Sequence, residues 1–351
     1  MHVDGPDSTP ETEYSALWAR PGLVMAGVGR ATVLDPGTGP ERYRRALDLL
    51  RAAKQQVAFA SFTFDPEEEG SVVVVPESIS SDFHVEADSH RPGSIDEDDA
   101  ERWPKMVAEA LVEIDRDSVE KVVLSRRIRA CFNQPLDPFA VAHQLLRTQP
   151  GCNVYAIEGL VGASPELLLR IRDGRIHSTP LAGSATKGAP GLSSDKNVYE
   201  HELAAESVDQ AFRKAGVEYE RSDPETVVVG DLRHLGTRFE GSAPPGFGFA
   251  DILPHLHPTA AVAGTPTDIA LEIIREMEET SRGRYSGPVG WFADSGEGEF
   301  AVALRCGQIE GKTAVLHSGA GIVAGSKPDE ELEETEWKLQ PMLNALGLSD
   351  A

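Results

Sequence analysis

Apolar positions along this chain fall into short strand-like runs, interrupted at intervals by segments of helical spacing. Residues 22–34 and 56–64 read as strands, with a helix between them over ERYRRALDLLRAAKQ. A turn at PEEEGS leads into SVVVVPESI, a short strand that its proline should stop. Residues 84–103 are acidic and loop-like, which predicts a linker or mobile excursion. WPKMVAEALVEIDRDS has helical spacing and KVVLSRRIRACF reads as a strand. DPFAVAHQLLRTQ opens as a helix, with Asp137 as N-cap and Pro138 in the first turn. Strands are expected at CNVYAIEGL, across SPELLLRIRDGRIHSTPL with a hairpin turn at Asp173-Gly174, and at TVVVGDLRHLG. Helices are expected from about Lys196 to Ala215 and from Pro266 to Glu279. GPVGWFAD and GEFAVALRCGQIEGKTAVLHS read as strands before a closing helix from Pro328. Long hairpins with interspersed helices predict an α+β fold rather than a doubly wound parallel sheet.

Composition narrows the function classes. A chain of 351 residues can bury one large core or two ordinary ones. The net charge of −24 argues against a nucleic-acid surface and against affinity for anionic membranes. Three irregularly spaced cysteines, Cys131, Cys152 and Cys306, predict a reduced cytoplasmic setting without a zinc site. No apolar run approaches the ~20 residues of a membrane span. MHVDGPDSTPETEYS lacks a basic or apolar region, so residues 1–20 read as a flexible tail and 21–351 as one domain.

Two residues have the chemistry of a base and an acid. Lys121 opens KVVLSRR, and Glu166 closes the turn in EGLVGASPELLLRI. Taken alone, Lys121 reads as a surface lysine at the start of a strand. Glu200 lies on the apolar stripe of its helix with Leu203, Ala204, Ser207, Val208, Ala211 and Phe212. A carboxylate facing a core needs a partner. A wet helix-end glutamate near the N-terminal dipole has the same spacing, and spacing does not separate the two. His201-Glu202 is no zinc motif, because Ala205 stands where the second histidine belongs.

Glu331, Glu334 and Lys338 share one side of the closing helix. Spacing favours a common surface ion pair there. The other reading is that the glutamates hold a hard cation and Lys338 holds the anion it carries. SGAGIVAG contains G-x-G-x-x-A, but Gly325, Ser326 and Pro328 delay the next helix and too little chain follows for a dinucleotide site. A turn offering backbone N–H groups to a carboxylate and a plain turn both remain open. GSATKG lacks the residue order of a P-loop. Arg305, flanked by apolar residues, reads as a structural arginine or a carboxylate clamp. His234 reads as a structural histidine or a donor to an anion.

KVVLSR, GASPELLL, PLAGS, EHEL, LRHLGTRFEG, LHPTAAVAG, YSGPVGW, LRC, SGAGIV and EETEWKL occur in that order between Lys121 and Leu346. In this the chain resembles the chorismate-utilising enzymes, with a divergent half at about 21–115 and a motif-bearing half at about 116–351. Within that family it is most similar to isochorismate synthases of the siderophore-pathway type. Lys121 stands where amine-adding relatives tend to have Gln. Ala182 stands where aminodeoxychorismate synthases carry a catalytic Lys, and Ala261 where salicylate and anthranilate synthases usually have Thr.

The resemblance implies one large domain with two β-sheets packed face to face and helices outside. It implies a Mg²⁺-dependent isomerase that turns chorismate into isochorismate for a siderophore or menaquinone pathway. Water would add at C2 as the C4 hydroxyl leaves. Lys121 would be the base, which requires a pKa well below the ordinary ~10.4. Glu166 would be the protonated acid, with a raised pKa. Glu200 and Glu334 would bind Mg²⁺, with Glu331 beside them. Gly183 and Ser184 would line the substrate near the metal, with Ala261 at the position linked to pyruvate elimination. Arg305, Tyr285, Lys338 and the N–H groups of Gly319 and Gly321 would hold the carboxylates, and His234 would lie near C4. Asn197 and Val262 depart from the commoner acid and Leu. The implied protein is a cytoplasmic monomer, touching a downstream isochorismate-using enzyme only transiently. Salicylate synthase, an amine-transferring subunit and a non-catalytic chorismate binder are the competing expectations.

Overall fold

The computed structural model describes residues 13–85, 93–186, 192, 194–229 and 232–348. Its elements begin with β1 (Tyr14–Arg20), β2 (Leu23–Leu34), α1 (Arg42–Ala52), β3 (Val57–Ser61), β4 (Val72–Ser80), β5 (Gly93–Asp98) and α2 (Trp103–Asp115). Next come β6 (Lys121–Phe132), α3 (Pro138–Thr148), β7 (Asn153–Ile157), β8 (Leu160–Ser164), β9 (Leu167–Arg172), β10 (Arg175–Thr179), β11 (Leu181–Thr186) and α4 (Asp195–Lys214). β12 (Glu218–Arg221), β13 (Glu225–Val229), β14 (Leu232–Gly236), β15 (Phe239–Ser242), α5 (Phe249–Leu256), β16 (Gly264–Thr265) and α6 (Thr267–Met277) follow. β17 (Pro288–Ala293), β18 (Gly298–Val302), β19 (Cys306–Glu310), β20 (Thr313–Val323) and α7 (Pro328–Leu346) end the order.

One antiparallel network runs β12–β15–β10–β9–β18–β17–β3–β4–β2–β1–β7–β8–β19–β20–β6, with β5 and β16 both on the far edge of β6. The network folds back on itself through β1. Trp18, Tyr155 and Cys306 of one half pack against Phe59, Val74, Val289 and Ala301 of the other. The two facing sheets expected from the resemblance are these halves. A separate three-stranded sheet, β11–β14–β13, stands beside them. Helices cover the outer faces. Leu47 of α1, Trp103 of α2, Phe212 of α4, Leu253 of α5 and Ile274 of α6 meet Leu169, Phe292 and Phe300 in one cluster. Leu145 of α3 and Met342 of α7 meet Val154, Ala163 and Leu316 in another. No described helix is long and apolar enough to cross a membrane.

Most expected elements form, and Asp137 caps α3 by accepting from the Phe139 N–H at 2.9 Å. Four local expectations fail. Residues 14–20, placed in the tail, form β1, whose Ala16, Leu17, Trp18 and Ala19 are fully buried between β2 and β7. Residues 1–12 of that tail lie outside the described residues. β4 runs through Pro76 to Ser80, because Pro76 pairs with Ala31 where the register of β2 shifts, at a bulge that tolerates the missing N–H. Within the expected linker, residues 93–98 pair with β6 and a 3₁₀ turn at Asp99–Arg102 leads into α2. CNVYAIEGL and TVVVGDLRHLG each cross two strands, β7 and β8 in the first and β13 and β14 in the second.

Because β1 joins the two halves, its buried indole is a stringent probe. Trp18→Ala should cost about 3–5 kcal/mol in urea unfolding. A loss under about 1 kcal/mol would return residues 14–20 to the role of a dispensable tail.

Candidate active site

The long antiparallel pairing of β6 with β20 sets one wall of a cavity. Lys121 lies opposite Val323, Val123 opposite Gly321 and Ser125 opposite Gly319. Gly321 has ordinary backbone angles, and its lack of a Cβ is the point. A Cβ there would lie 2.3 Å from Glu200 Oε1 and 2.9 Å from Lys121 Cε. The same atom on Gly319 would lie 3.2 Å from Tyr285 Oη. Gly321 therefore lets side chains from α4 and β6 close onto the strand, and Gly319 admits Tyr285 from the segment before β17.

The cavity is lined by Glu166, Gly183, Ser184, Glu200, His234, Ala261, Tyr285, Arg305, Gly319, Gly321, Glu334 and Lys338. Lys121 stands behind this wall, fully buried, with Nζ 3.2 Å from Glu200 Oε1. Glu331 does not line the cavity either; it is buried and bonded to Lys196. The other candidates from the sequence line the cavity, Lys121 meets it through Glu200, and Glu331 is linked to it only through Lys196 and the nearby charge of Glu334.

Glu166 follows β8 in a tight turn, its N–H donating to Ser164 Oγ at 3.2 Å. Its side chain is almost wholly buried, and among the described residues Oε1 has no hydrogen-bond partner. Burial raises its pKa to about 8, against the opposing effects of the Leu181 N–H and the charges of Lys121 and Lys338. The carboxyl therefore keeps its proton at neutral pH.

Three other glutamates each have a lysine. Lys121 meets Glu200, Lys196 meets Glu331, and Lys338 lies 2.6 Å from Glu334. Lys338 also donates to the Gly319 carbonyl at 2.9 Å. Ser194 caps α4 by accepting from the Asn197 N–H, so the first turns of that helix carry Lys196 and Glu200 to the site. Burial works to lower the Lys196 pKa, yet Glu331, Glu200 and Glu334 together raise it. Its ammonium is thus stabilised by all three carboxylates. Burial pushes Glu331 up, with Lys196 opposing and Glu334 adding to the rise. Glu334 and Lys338 do form the helical pair that spacing suggested, but at the cavity rather than in open solvent.

The three-stranded sheet supplies the opposite side. Gly183 has φ +68°, and a Cβ there would lie 3.0 Å from the Asn197 carbonyl oxygen, so both backbone angle and close approach call for glycine. Ser184 Oγ lies 3.2 Å from His234 Nδ1, and Arg305 Nη2 lies 2.9 Å from His234 Nε2. Arg305 is itself in the left-handed region, φ +48°, and among the described residues no carboxylate pairs with it. Tyr285 stacks on His317 with ring centroids 5.1 Å apart, and burial keeps its phenol protonated. Ala261 lies beside Val262 at the cavity edge.

Two contributors escaped the sequence reading. Lys196 stands four residues before Glu200 on one helix face, a spacing that marks it as a neighbour. His201 is buried, and its Nε2 lies 2.8 Å from Thr237 Oγ1, tying α4 to the segment between β14 and β15. Burial lowers its pKa to about 4, so it is neutral.

The Glu166 shift carries a stability signature. Below about 4.5 the carboxyl is protonated in folded and unfolded chains alike. Between that value and about 8 only the unfolded chain ionises, so the folded state loses stability as pH rises, and above about 8 the loss is complete. Glu166→Gln has no such dependence. The stability of wild type minus variant, from urea unfolding, should fall across that window. A constant difference would show that Glu166 is already ionised at neutral pH.

Residues 72–347 match the family described as chorismate binding enzyme. The chain is 37% identical over 294 residues to isochorismate synthase MenF of Bacillus subtilis (strain 168), covering 80% of this chain and 62% of that protein. It is 30% identical over 370 residues to isochorismate synthase DhbC of the same organism, covering 94% of this chain and 93% of the relative. Its fold superposes with a TM-score of 0.86, at 30% identity and 96% coverage of each chain, on a Bacillus anthracis protein described as a 2,3-dihydroxybenzoate-specific isochorismate synthase, DhbC. The matched segment carries the whole cavity, and the chain belongs to the chorismate binding enzyme family.

Proposed function

We infer that this chain is an isochorismate synthase, an isomerase that converts chorismate into isochorismate for a siderophore or menaquinone route. The observation that carries the reading is a buried carboxyl, Glu166, whose Oε1 has no hydrogen-bond partner among the described residues and whose pKa burial raises to about 8, in the cavity that Lys121 adjoins. The reaction needs such an acid together with a base. A water oxygen bonds to C2 while Lys121, which can act as a base only once its ion pair with Glu200 is broken and its own proton lost, takes the water's proton. The ring double bonds shift, the C4–O bond breaks, and Glu166 delivers its proton to the departing hydroxyl. One water enters and one leaves, so the net change is an isomerisation. General acid–base assistance of this kind is worth about 10²–10⁴-fold.

The buried Arg305 and the partly buried Lys338 would supply cationic donors for the two carboxylates of chorismate. Leu304 and Val123 contribute apolar surface to the same cavity. The acidic net charge acts at longer range and slows encounter at low salt more than it weakens binding.

The carboxylates of Glu200, Glu331 and Glu334 fit a hard divalent ion. Their donors are all oxygen, as Mg²⁺ prefers, and the Lys196 ammonium paired with Glu331 supports the reading that positive charge is favoured beside them. Among the described residues no three such side chains converge closely enough to form a metal cluster. Binding therefore requires these glutamates to exchange their lysine partners for the ion. Bound Mg²⁺ would supply positive charge to the ring carboxylate and hold it in place.

Incubation with chorismate and Mg²⁺, followed by chromatography with and without ammonium, tests the reading. Isochorismate as the sole product is expected. Pyruvate release would indicate a salicylate synthase, an ammonium-dependent product an amine-transferring enzyme, and no turnover a chorismate-binding protein without catalysis. Lys121→Gln should lower isochorismate formation by about 10²-fold or more with the fold intact by circular dichroism; retained turnover would remove Lys121 as the base. Glu334→Gln should weaken Mg²⁺ binding in calorimetric titration, and an unchanged titration would leave Glu334 and Lys338 as a simple ion pair.

A further inference from the structure

His234 lies between two groups whose positions the backbone dictates. Ser184 is its partner in the β11–β14 register. Arg305 reaches it from the turn between β18 and β19, held in the left-handed region with its carbonyl accepting from the Ala163 N–H at 3.2 Å. Both contacts are short enough to be hydrogen bonds, at 2.9 Å to Arg305 and 3.2 Å to Ser184.

The chemistry of the arginine decides the direction of the whole chain of contacts. A guanidinium has donors and no acceptor. At Arg305 Nη2 and His234 Nε2 the arginine therefore donates, and Nε2 presents its lone pair. A neutral imidazole with a bare Nε2 carries its proton on Nδ1. An imidazolium would set an N–H against the guanidinium. Burial and the charges of Arg305 and Lys338 also hold the ring neutral. Nδ1–H then points to Ser184 Oγ and to the Gly183 backbone beside it. The serine oxygen accepts that bond. Its own proton has no other partner among the described residues, and Ser184 lines the cavity.

We propose that Arg305, acting through the Nδ1–H tautomer of His234, commits the Ser184 hydroxyl to donating a hydrogen bond to the bound ligand. Ser184 becomes a specificity-determining residue, and Arg305 and His234 become its positioning residues, apart from any direct contact Arg305 makes. The ligand atom favoured at Ser184 is an acceptor, such as a carboxylate, hydroxyl or ether oxygen, because it pairs the one hydroxyl proton that has no other partner among the described residues. An analogue presenting an ammonium at that point can use only the remaining lone pair of Oγ, leaves that proton unpaired and binds less tightly. This deepens the isochorismate synthase reading by one contact, but the tautomer itself does not depend on that reading.

The test uses the full chain labelled with ¹⁵N-histidine and free of ligand. Long-range ¹H–¹⁵N correlation spectra report which ring nitrogen bears the proton, and the His234 signal is assigned by its loss in His234→Asn. The expected pattern near neutral pH is a protonated Nδ1 with a bare Nε2. An Nε2–H tautomer or an imidazolium would overturn the proposal without touching the assignment of the reaction. In Arg305→Met the ring should lose its fixed state and shift toward Nε2–H, and an unchanged spectrum would remove Arg305 from the relay. A paired comparison reads the consequence for the ligand. The amide N–H of His234→Asn sits near the Nδ1 position, whereas that of His234→Gln sits near Nε2. His234→Asn should therefore keep kcat/KM higher than His234→Gln, by on the order of tenfold to a hundredfold. Equal losses would contradict the proposal, and if either variant misfolds the wild-type spectrum still decides it.

Discussion

An ionised side chain taken out of water is stable only where an opposite charge or strong hydrogen bonds replace the solvent. Around this cavity the constraint is met three times by lysine–glutamate pairs, Lys121 with Glu200, Lys196 with Glu331 and Lys338 with Glu334. Glu166 is the carboxyl left out of the pairing. It feels Lys121 and Lys338 only through space and accepts one backbone N–H, and burial outweighs all of them. The difference between an acid that holds its proton and glutamates held beside ammonium groups thus comes from who stands next to whom. No unusual chemistry of the residues themselves is needed.

That arrangement rests on the register between β6 and β20. Opposing Val123 with Gly321 leaves a space the size of one methyl group, and the Glu200 carboxylate and the Lys121 stem fill it. Glycine at Gly321 therefore allows a buried ion pair to pass against a strand. β1 has a comparable part at larger scale. By pairing with β2 on one side and β7 on the other, it joins the two halves of the sheet network whose apolar faces meet around Trp18. Helices α4 and α7 then bring their charged first turns to the same place, which their apolar stripes alone would not require.

The sequence displayed the long elements well and the short ones poorly. α4, α7, β6 and the hairpin at Asp173-Gly174 have period, cap or turn signals of their own. β1 was hidden because strands buried on both faces lose alternation, and its polar N-terminal flank resembled a tail. Residues 93–98 form a strand although acidic, because β6 offers them a free edge. α5 spans eight residues with Pro254 inside it, too short for a period to show. At the site, spacing placed Glu200 on its core-facing stripe but left Lys121 looking like a surface residue, and only the ordered set of motifs distinguished it. The contacts of Lys196 with Glu331 and of Arg305 with His234 join residues more than seventy positions apart. Such contacts belong to tertiary structure and leave no local pattern.

Everything in the mechanism turns on the protonation state of one carboxyl group, and vibrational spectroscopy reads that state without turnover. Infrared difference spectra of wild type against Glu166→Gln, recorded through the neutral range, isolate the Glu166 side chain. A protonated C=O stretch at neutral pH, replaced by carboxylate bands as pH passes about 8, is the predicted result. Carboxylate bands alone throughout that range would contradict the account, because Glu166 would then have no proton to give.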